Sequence, residues 1–237
     1  MSNLEILKSW VQKSNRIVFF GGAGVSTESG IPDFRSVDGL YSQKFEFPPE
    51  QIISHSFYKT DPSYFFRFYR EKMMPLGFEP NVTHLKLAQW ETEGKLLGIV
   101  TQNIDGLHQK AGSKAVYELH GSVLRNYCVM CGRFHTAEFV KDHNDVPYCQ
   151  CGGIVKPDVV LYEESLNAET LEGAICAIQN ADLLIVAGTS LTVYPAASLV
   201  NYYRGNRMVL INRDVTPFDH QANLVFHQSL GEIFHDL

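Results

Sequence analysis

The chain lacks several features that would assign it quickly. It has no apolar run near the ~18 residues that a bilayer-spanning helix needs; the longest candidate, Leu183 to Ala187, is strand-sized. Lysine and arginine are concentrated nowhere, and the 20 of them are outnumbered by 26 aspartates and glutamates, for a formal charge of −6. The electrostatic footprint of a nucleic-acid binder is therefore missing. The opening residues Met-Ser-Asn-Leu-Glu have none of the basic-then-apolar layout of a signal peptide. Five cysteines make a poor disulfide framework, and four of them cluster between Cys128 and Cys151, which in a reducing compartment reads as metal before disulfide. These absences lead to the expectation of a soluble, cytoplasmic protein with neither membrane nor nucleic acid as partner. With 237 residues, 45% hydrophobic and 19% charged, the chain has the composition of a globular domain with an ordinary core.

Ser2 and Glu5 stand at capping-box spacing ahead of Leu4, Leu7 and Val11, which predicts a helix over residues 2–14. Arg16 to Phe20 reads as a short buried strand, and further apolar strands are expected at Leu96–Thr101, Asp158–Leu161, Asp182–Ala187 and Arg207–Ile211. Helical stretches fall between several of them, near 81–92, 167–180 and 195–204. Strands alternating with helices predict an α/β fold: a doubly wound, Rossmann-like parallel sheet that binds ligands at its strand C-termini. Two regions interrupt the alternation. Residues 36–80, rich in proline and aromatics, are expected to form a helical insertion, and 121–156, with the cysteines, a small zinc-binding lobe. The sheet domain would then comprise 1–35, 81–120 and 157–237.

The first strand runs into Gly22-Ala23-Gly24-Val25-Ser26-Thr27. A strand, a glycine turn and a helix start present free N–H groups to a phosphate. The third glycine of the dinucleotide fingerprint is missing, and no acidic residue ends a second strand ~20 residues on, so a dehydrogenase is disfavoured. A tight strand-to-helix turn explains the loop about as well. The continuation Gly30-Ile31-Pro32-Asp33-Phe34-Arg35 is harder to explain as packing, because Arg35 can reach a phosphate and Phe34 can cover a ring.

Gln102, Asn103 and Asp105 follow an apolar strand, where a sheet presents side chains to a ligand. Helix capping is the plain alternative, but three such groups in four positions exceed what a cap needs. His120 lies between a strand-like Ala115–Leu119 and Gly121; a histidine there suits proton transfer at neutral pH. It is one of nine, so a solvated surface residue is the competing reading. Cys128-x-x-Cys131 and Cys149-x-Cys151, seventeen residues apart, have tetrahedral-zinc spacing. His135 and His143 between the pairs are rival ligands, but four thiolates are favoured because each pair sits in a turn. No open coordination position is implied, so the zinc is expected to be structural. Cys176 is expected to be a buried helix residue.

Taken together, these segments resemble the sirtuins, NAD-dependent protein lysine deacylases. The resemblance is carried by Gly22–Ser26 with Gly30–Arg35, Thr101-Gln102-Asn103-Ile104-Asp105-Gly106-Leu107-His108, Glu118-Leu119-His120-Gly121 with the cysteines behind it, and Gly188–Ala196 with Ile211-Asn212. It spans essentially the whole chain. It implies His120 as general base on the NAD ribose and Asn103 as the residue that holds a catalytic water. Cofactor contacts are implied for Ala23, Gly24, Thr27, Phe34, Arg35, Gln102, Asn103, Ile104, Asp105, His120, Gly188, Thr189, Ser190, Asn212, Arg213 and Leu230, with Ile104 and Asp105 on the nicotinamide carboxamide and Phe34 shielding the ribose from water. The implied reaction begins when the acyl oxygen of an acyl-lysine displaces nicotinamide. His120 then assists attack of the ribose 2′-hydroxyl, and water completes release of lysine and O-acyl-ADP-ribose.

The substrate, an acyl-lysine protein or peptide, would enter as an added strand between Val159–Glu164 and Thr189–Tyr194. Tyr162-Glu163-Glu164 stands where the family often has Phe-Gly-Glu, a departure expected to alter how the peptide enters. Tyr69 and Lys72 stand where relatives selective for acidic acyl groups carry tyrosine and arginine, but packing of Tyr69 in a core explains that residue more simply. The rivals to a deacylase are a mono-ADP-ribosyltransferase using the same pocket and a non-catalytic NAD or ADP-ribose sensor. A sensor has no need of His120, Asn103 and Asp105 together.

Overall fold

The computed structural model describes residues 2–33, 39 and 45–237. Phe34 and Arg35 lie outside them. The first helix, α1 (Asn3–Lys13), starts at the expected capping box: Ser2 Oγ accepts from the Glu5 N–H at 3.2 Å, and the Glu5 carboxylate accepts from the Ser2 N–H at 2.6 Å. Leu7 and Val11 on its inner face are buried.

Nine strands follow among the described residues: β1 (Ile17–Gly21), β2 (Leu96–Thr101), β3 (Val116–Glu118), β4 (Gly121–Cys128), β5 (Phe134–His135), β6 (Val155–Val159), β7 (Leu183–Ala187), β8 (Met208–Ile211) and β9 (Leu224–Phe226). Six of them form one sheet in the order β3-β2-β1-β7-β8-β9, every pair parallel. The chain crosses over after β3, so the connections leave β1 and β7 in opposite directions. That is the topological switch point at which doubly wound sheets bind ligands.

Between β1 and β2 run α2 (Pro49–Ile52), α3 (His55–Thr60), α4 (Pro62–Phe68) and α5 (Val82–Thr92). They are followed by α6 (Leu107–Lys110), α7 (Ala137–Asp142), α8 (Ala168–Asn180) and α9 (Leu230–Asp236). The central strands are buried on both faces, as helix cover on both sides requires. Alternate residues serve opposite cores. Ile17 and Phe19 pack with Leu7, Leu87, Trp90 and Phe234 from α1, α5 and α9, while Val18 and Phe20 pack with Ala174 and Ile178 of α8 and with Leu199. No helix among the described residues is long and apolar enough to cross a membrane.

β6 corrects the expectation of a sheet strand at Asp158–Leu161. It spans Val155–Val159 and pairs antiparallel with β4, in a second sheet ordered β5-β4-β6. Its residues alternate between buried and half-buried, the pattern of a strand with one wet face, which a central parallel strand cannot tolerate. The expected helix at 195–204 is a 3₁₀ helix over Ala196–Tyr202. Cys176 is exposed. Ala174, Ala177 and Ile178 turn the inner face of α8 to the core, which leaves the thiol on the outer one. β9 and α9 carry no sequence expectation: one is three residues long, the other seven.

The second sheet and the helices between β1 and α5 share one core. Ile52, Phe57, Phe65, Phe66 and Tyr69 pack with Val123, Val140, Val155, Val159 and two of the cysteines, Cys128 and Cys149. The aromatics meet mostly edge to face, as with Phe65 and Phe66 at 5.1 Å, the arrangement favoured by the ring quadrupole.

Candidate active site

The C-terminal ends of β1, β2, β3 and β7 converge on a cleft of about 750 Å³. The Gln102 N–H donates to Gly21 O at 3.0 Å and the Leu119 N–H to Thr101 O at 2.9 Å. These bonds draw the glycine loop, the residues after β2 and His120 to one place. On the other side of β1, Gly24 N–H donates to Gly188 O at 2.8 Å. A Cβ on Gly24 would lie 2.8 Å from Gly188 Cα, and one on Gly22 would lie 2.7 Å from Thr189 Cβ. These glycines are therefore needed to lay the two strand-end loops against each other. The glycine loop does not open an α-helix; it makes two 3₁₀ turns, Ala23–Val25 and Thr27–Ser29. Backbone N–H groups of Ala23, Thr189 and Ser190 take no partner among the described residues, the donor set a pyrophosphate requires.

Thirteen of the expected contacts line this cleft: Ala23, Gly24, Gln102, Asn103, Ile104, Asp105, His120, Gly188, Thr189, Ser190, Asn212, Arg213 and Leu230. Thr27 is the one described residue of the expected set outside the cleft lining. Its hydroxyl turns back to Gly24 O at 3.0 Å and braces the loop, and it does not line the cleft. Ser26, outside the expected set, sits at the centre instead. Its hydroxyl donates to Asp105 Oδ2 at 2.7 Å and accepts from Asn103 Nδ2 at 3.1 Å. The only sequence signal for that role is its place in the glycine loop. Gln102 Nε2 donates to Thr189 Oγ1 at 3.0 Å, which ties the β2 and β7 loops together.

One Asp105 oxygen turns to its own chain: Oδ1 accepts the Leu107 N–H at 2.9 Å, ahead of α6, whose N-cap is Gly106. Its other oxygen is held by Ser26. Burial pushes this carboxyl above the usual carboxylate range, against the pull of those two hydrogen bonds. Asn103 is buried, and its own N–H donates to Thr101 Oγ1 at 3.0 Å. Arg213 is exposed, its guanidinium 3.8 Å from the Asp33 carboxylate.

His120 is the one histidine lining the cleft among the described residues. His108 is buried against Phe19 and His84, His55 bonds Glu164, and His235 is exposed on α9. His120 Nδ1 lies 3.0 Å from Gln102 O. A carbonyl only accepts, so Nδ1 carries the proton and Nε2 keeps the lone pair of a base. Burial lowers the His120 pKa, and the Gln102 bond opposes part of that shift, which favours the uncharged imidazole.

The ligand atoms of Cys128, Cys131, Cys149 and Cys151 all lie within 4.8 Å of one another. Cys128 and Cys151 sulfurs are 3.3 Å apart, and those of Cys131 and Cys149 are 3.8 Å apart. Sulfurs at the corners of a tetrahedron around zinc, each ~2.3 Å from it, sit about 3.8 Å apart, so the four fit that metal. Gly153 makes the tight turn possible, since a Cβ there would lie 2.7 Å from Cys128 Sγ. Neither rival histidine joins the cluster: His143 Nδ1 bonds Phe139 O at 2.6 Å, and the His135 ring lies 4.2 Å from that of Phe139.

The Sir2 family model matches residues 22–195. An NAD-dependent protein deacetylase of Clostridium perfringens is 58% identical over 231 residues, covering 96% of this chain and 95% of its own. One of Staphylococcus aureus is 42% identical, covering 100% and 98%. Among solved structures, a Sir2 histidine-to-alanine variant with deacetylated p53 peptide and 3′-O-acetyl ADP-ribose superposes with a TM-score of 0.90 at 38% identity, covering 98% of this chain and 96% of its own. A Sir2 complex with p53 peptide and NAD+ gives 0.85 at 39% identity, covering 99% and 96%. With the cleft at the switch point, its half-buried histidine and a four-cysteine lobe behind it, the chain belongs to the Sir2 family.

Proposed function

We propose that the protein removes acetyl groups from protein lysines with NAD as co-substrate, releasing nicotinamide and O-acyl-ADP-ribose, with zinc as a structural ion. The observation that carries the reading is His120: an imidazole whose tautomer is set by Gln102 O, in the same cleft as Asn103 and Asp105. Bound NAD would supply the electrophilic ribose carbon and the hydroxyls that take up the acyl group.

The chain's own residues do the rest. Loop N–H groups of Ala23, Thr189 and Ser190 hold the pyrophosphate. Ile104 and Asp105 hold the nicotinamide carboxamide, its amide N–H donating to the Asp105 carboxyl. Asn103, oriented by Ser26, holds a water. His120 Nε2 takes the proton of the ribose hydroxyl as it attacks, and general-base assistance of this kind contributes ~10²–10⁴-fold. The peptide enters as an added strand at Val159–Glu164 and Val193–Tyr194, which line the same cleft; pairing through the main chain accepts many sequences.

Incubation with NAD and an acetyl-lysine peptide tests this. Nicotinamide is expected to appear one-to-one with free lysine and only when peptide is present. Equal release without peptide would make the protein a glycohydrolase.

Acyl choice follows from the π-helical turn Tyr69–Met73 after α4. Tyr69 is buried in the shared core and does not line the cleft, whereas Lys72 lines it with its ammonium 2.9 Å from Glu71. A lysine already paired with a carboxylate, and without the planar fork of arginine, makes a poor clamp for an acidic acyl group. On matched peptides, kcat/KM for acetyl-lysine is expected to exceed that for succinyl-lysine by about tenfold or more. A succinyl preference lost in Lys72→Ala would reverse the assignment.

A further inference from the structure

Glu163 holds a backbone conformation that favours glycine, with φ of 75°. A side-chain-bearing residue enters the left-handed region only at an energetic cost, because its Cβ crowds the following carbonyl oxygen. The compensation lies across the cleft wall, in the first turn of α3. Glu163 Oε2 accepts from the Ser56 N–H at 2.8 Å, and Oε1 accepts from Ser56 Oγ at 2.9 Å. The left-handed turn sends the next carboxylate to the same helix: Glu164 Oε1 lies 2.8 Å from His55 Nδ1, and its Oε2 accepts the Leu161 N–H at 2.9 Å and faces Lys156 Nζ at 3.1 Å. Main-chain bonds lie alongside, from the His55 N–H to Tyr162 O at 3.0 Å and from the Tyr162 N–H to Ile53 O at 3.1 Å.

The cleft wall at Val159–Glu164 is thus stitched to α3 along one side, and Glu163 is the only member of the stitch that adopts its conformation at a cost. A glycine in its place would keep the turn and the neighbouring bonds but lose both bonds to Ser56. We infer that Glu163 is a positioning residue for the substrate peptide, latching the wall onto Ser56 so that its main chain is preformed for strand addition. The inference rests on the reading of Val159–Glu164 as the peptide-binding edge. Preformation matters because ordering a loop on binding subtracts from affinity.

The test uses Glu163→Gly, Glu163→Gln and wild-type protein, with steady-state kinetics varied separately in acetyl-lysine peptide and in NAD, and thermal melting alongside. Glu163→Gly is expected to raise KM for peptide about 5-fold, equivalent to roughly 1 kcal/mol. The KM for NAD should stay put and Tm should hold or rise, because glycine relieves the left-handed strain. Glu163→Gln keeps an oxygen for the Ser56 N–H and should recover part of the loss. A merely structural role would lower Tm and raise both KM values together, and that result would overturn the inference. So would a peptide KM in Glu163→Gly equal to wild type, or a Glu163→Gln variant no better than Glu163→Gly. Wild-type protein with no peptide-dependent turnover would defeat the functional reading itself, and the latch with it.

Discussion

His120→Ala is expected to lower deacetylation by ~10²–10⁴-fold, the usual loss for a general base, with the fold and NAD binding intact. The separation follows from the contacts. Among the described residues the His120 side chain makes one hydrogen bond, to Gln102 O, and the loop N–H groups proposed for the pyrophosphate belong to other elements. Tm and NAD affinity by calorimetry should therefore remain close to wild type while turnover collapses. The pH profile gives an independent check. Burial, the larger influence, lowers the His120 pKa, while the Gln102 bond pulls the other way. The base is thus still unprotonated where an ordinary histidine would begin to charge. The acid limb of kcat/KM should fall below the ordinary histidine value of 6.5, and it should disappear from the residual activity of His120→Ala. A variant with near-normal turnover, or an acid limb above that value, would remove His120 from its role.

Loss of one zinc ligand should have an effect of comparable size by a different route. Structural zinc contributes about 10–16 kcal/mol of apparent binding energy in small folded units, as much as the whole stability of a typical domain at about 5–15 kcal/mol. Cys151→Ala is therefore expected to leave the protein without zinc and its second sheet unfolded. The damage should not stop at that sheet. Cys128 and Cys149 pack in the same core as Phe57, Phe65 and Tyr69, so α3 and α4 lose a wall, and with them the cleft edge at Val159–Glu164. Metal analysis should give one zinc per wild-type chain, and hydrogen exchange should show protection lost across β4 to β6, α3 and α4 but kept in β1, β7 and β8. His135→Ala and His143→Ala should both retain full zinc. Full zinc in Cys151→Ala, or zinc lost with either histidine, would contradict the four-thiolate site.

Local chemistry made much of this protein legible from residue order alone. The capping box at Ser2 and Glu5 needs only three-residue spacing, and β1 and β7 announce themselves because a strand buried on both faces must be apolar throughout. The cysteine pairs were readable because two short spacings in turns leave few geometries for a metal, and His120 was singled out by the family context of Leu119-His120-Gly121. Other features depend on which segments meet in space. Val155–Val159 is an antiparallel strand because Gly121–Cys128 lies beside it, and no property of Lys156-Pro157-Asp158 states that partner. Thr27 faces its own loop while Ser26 faces Asp105 and Asn103, a choice set by the turn geometry between adjacent residues. Cys176 is exposed because the inner face of α8 is already filled by alanines and Ile178. The helices between β1 and α5 share a core with the cysteine lobe, a contact between residues about 50 to 110 positions apart for which periodicity has no signal. Glu163, in sequence a departure from a family pattern, takes its meaning from Ser56, 107 positions away. Motifs record the groups that do chemistry, since those must be of one type at one spacing; packing partners and latches are settled only when distant segments compete for the same surface.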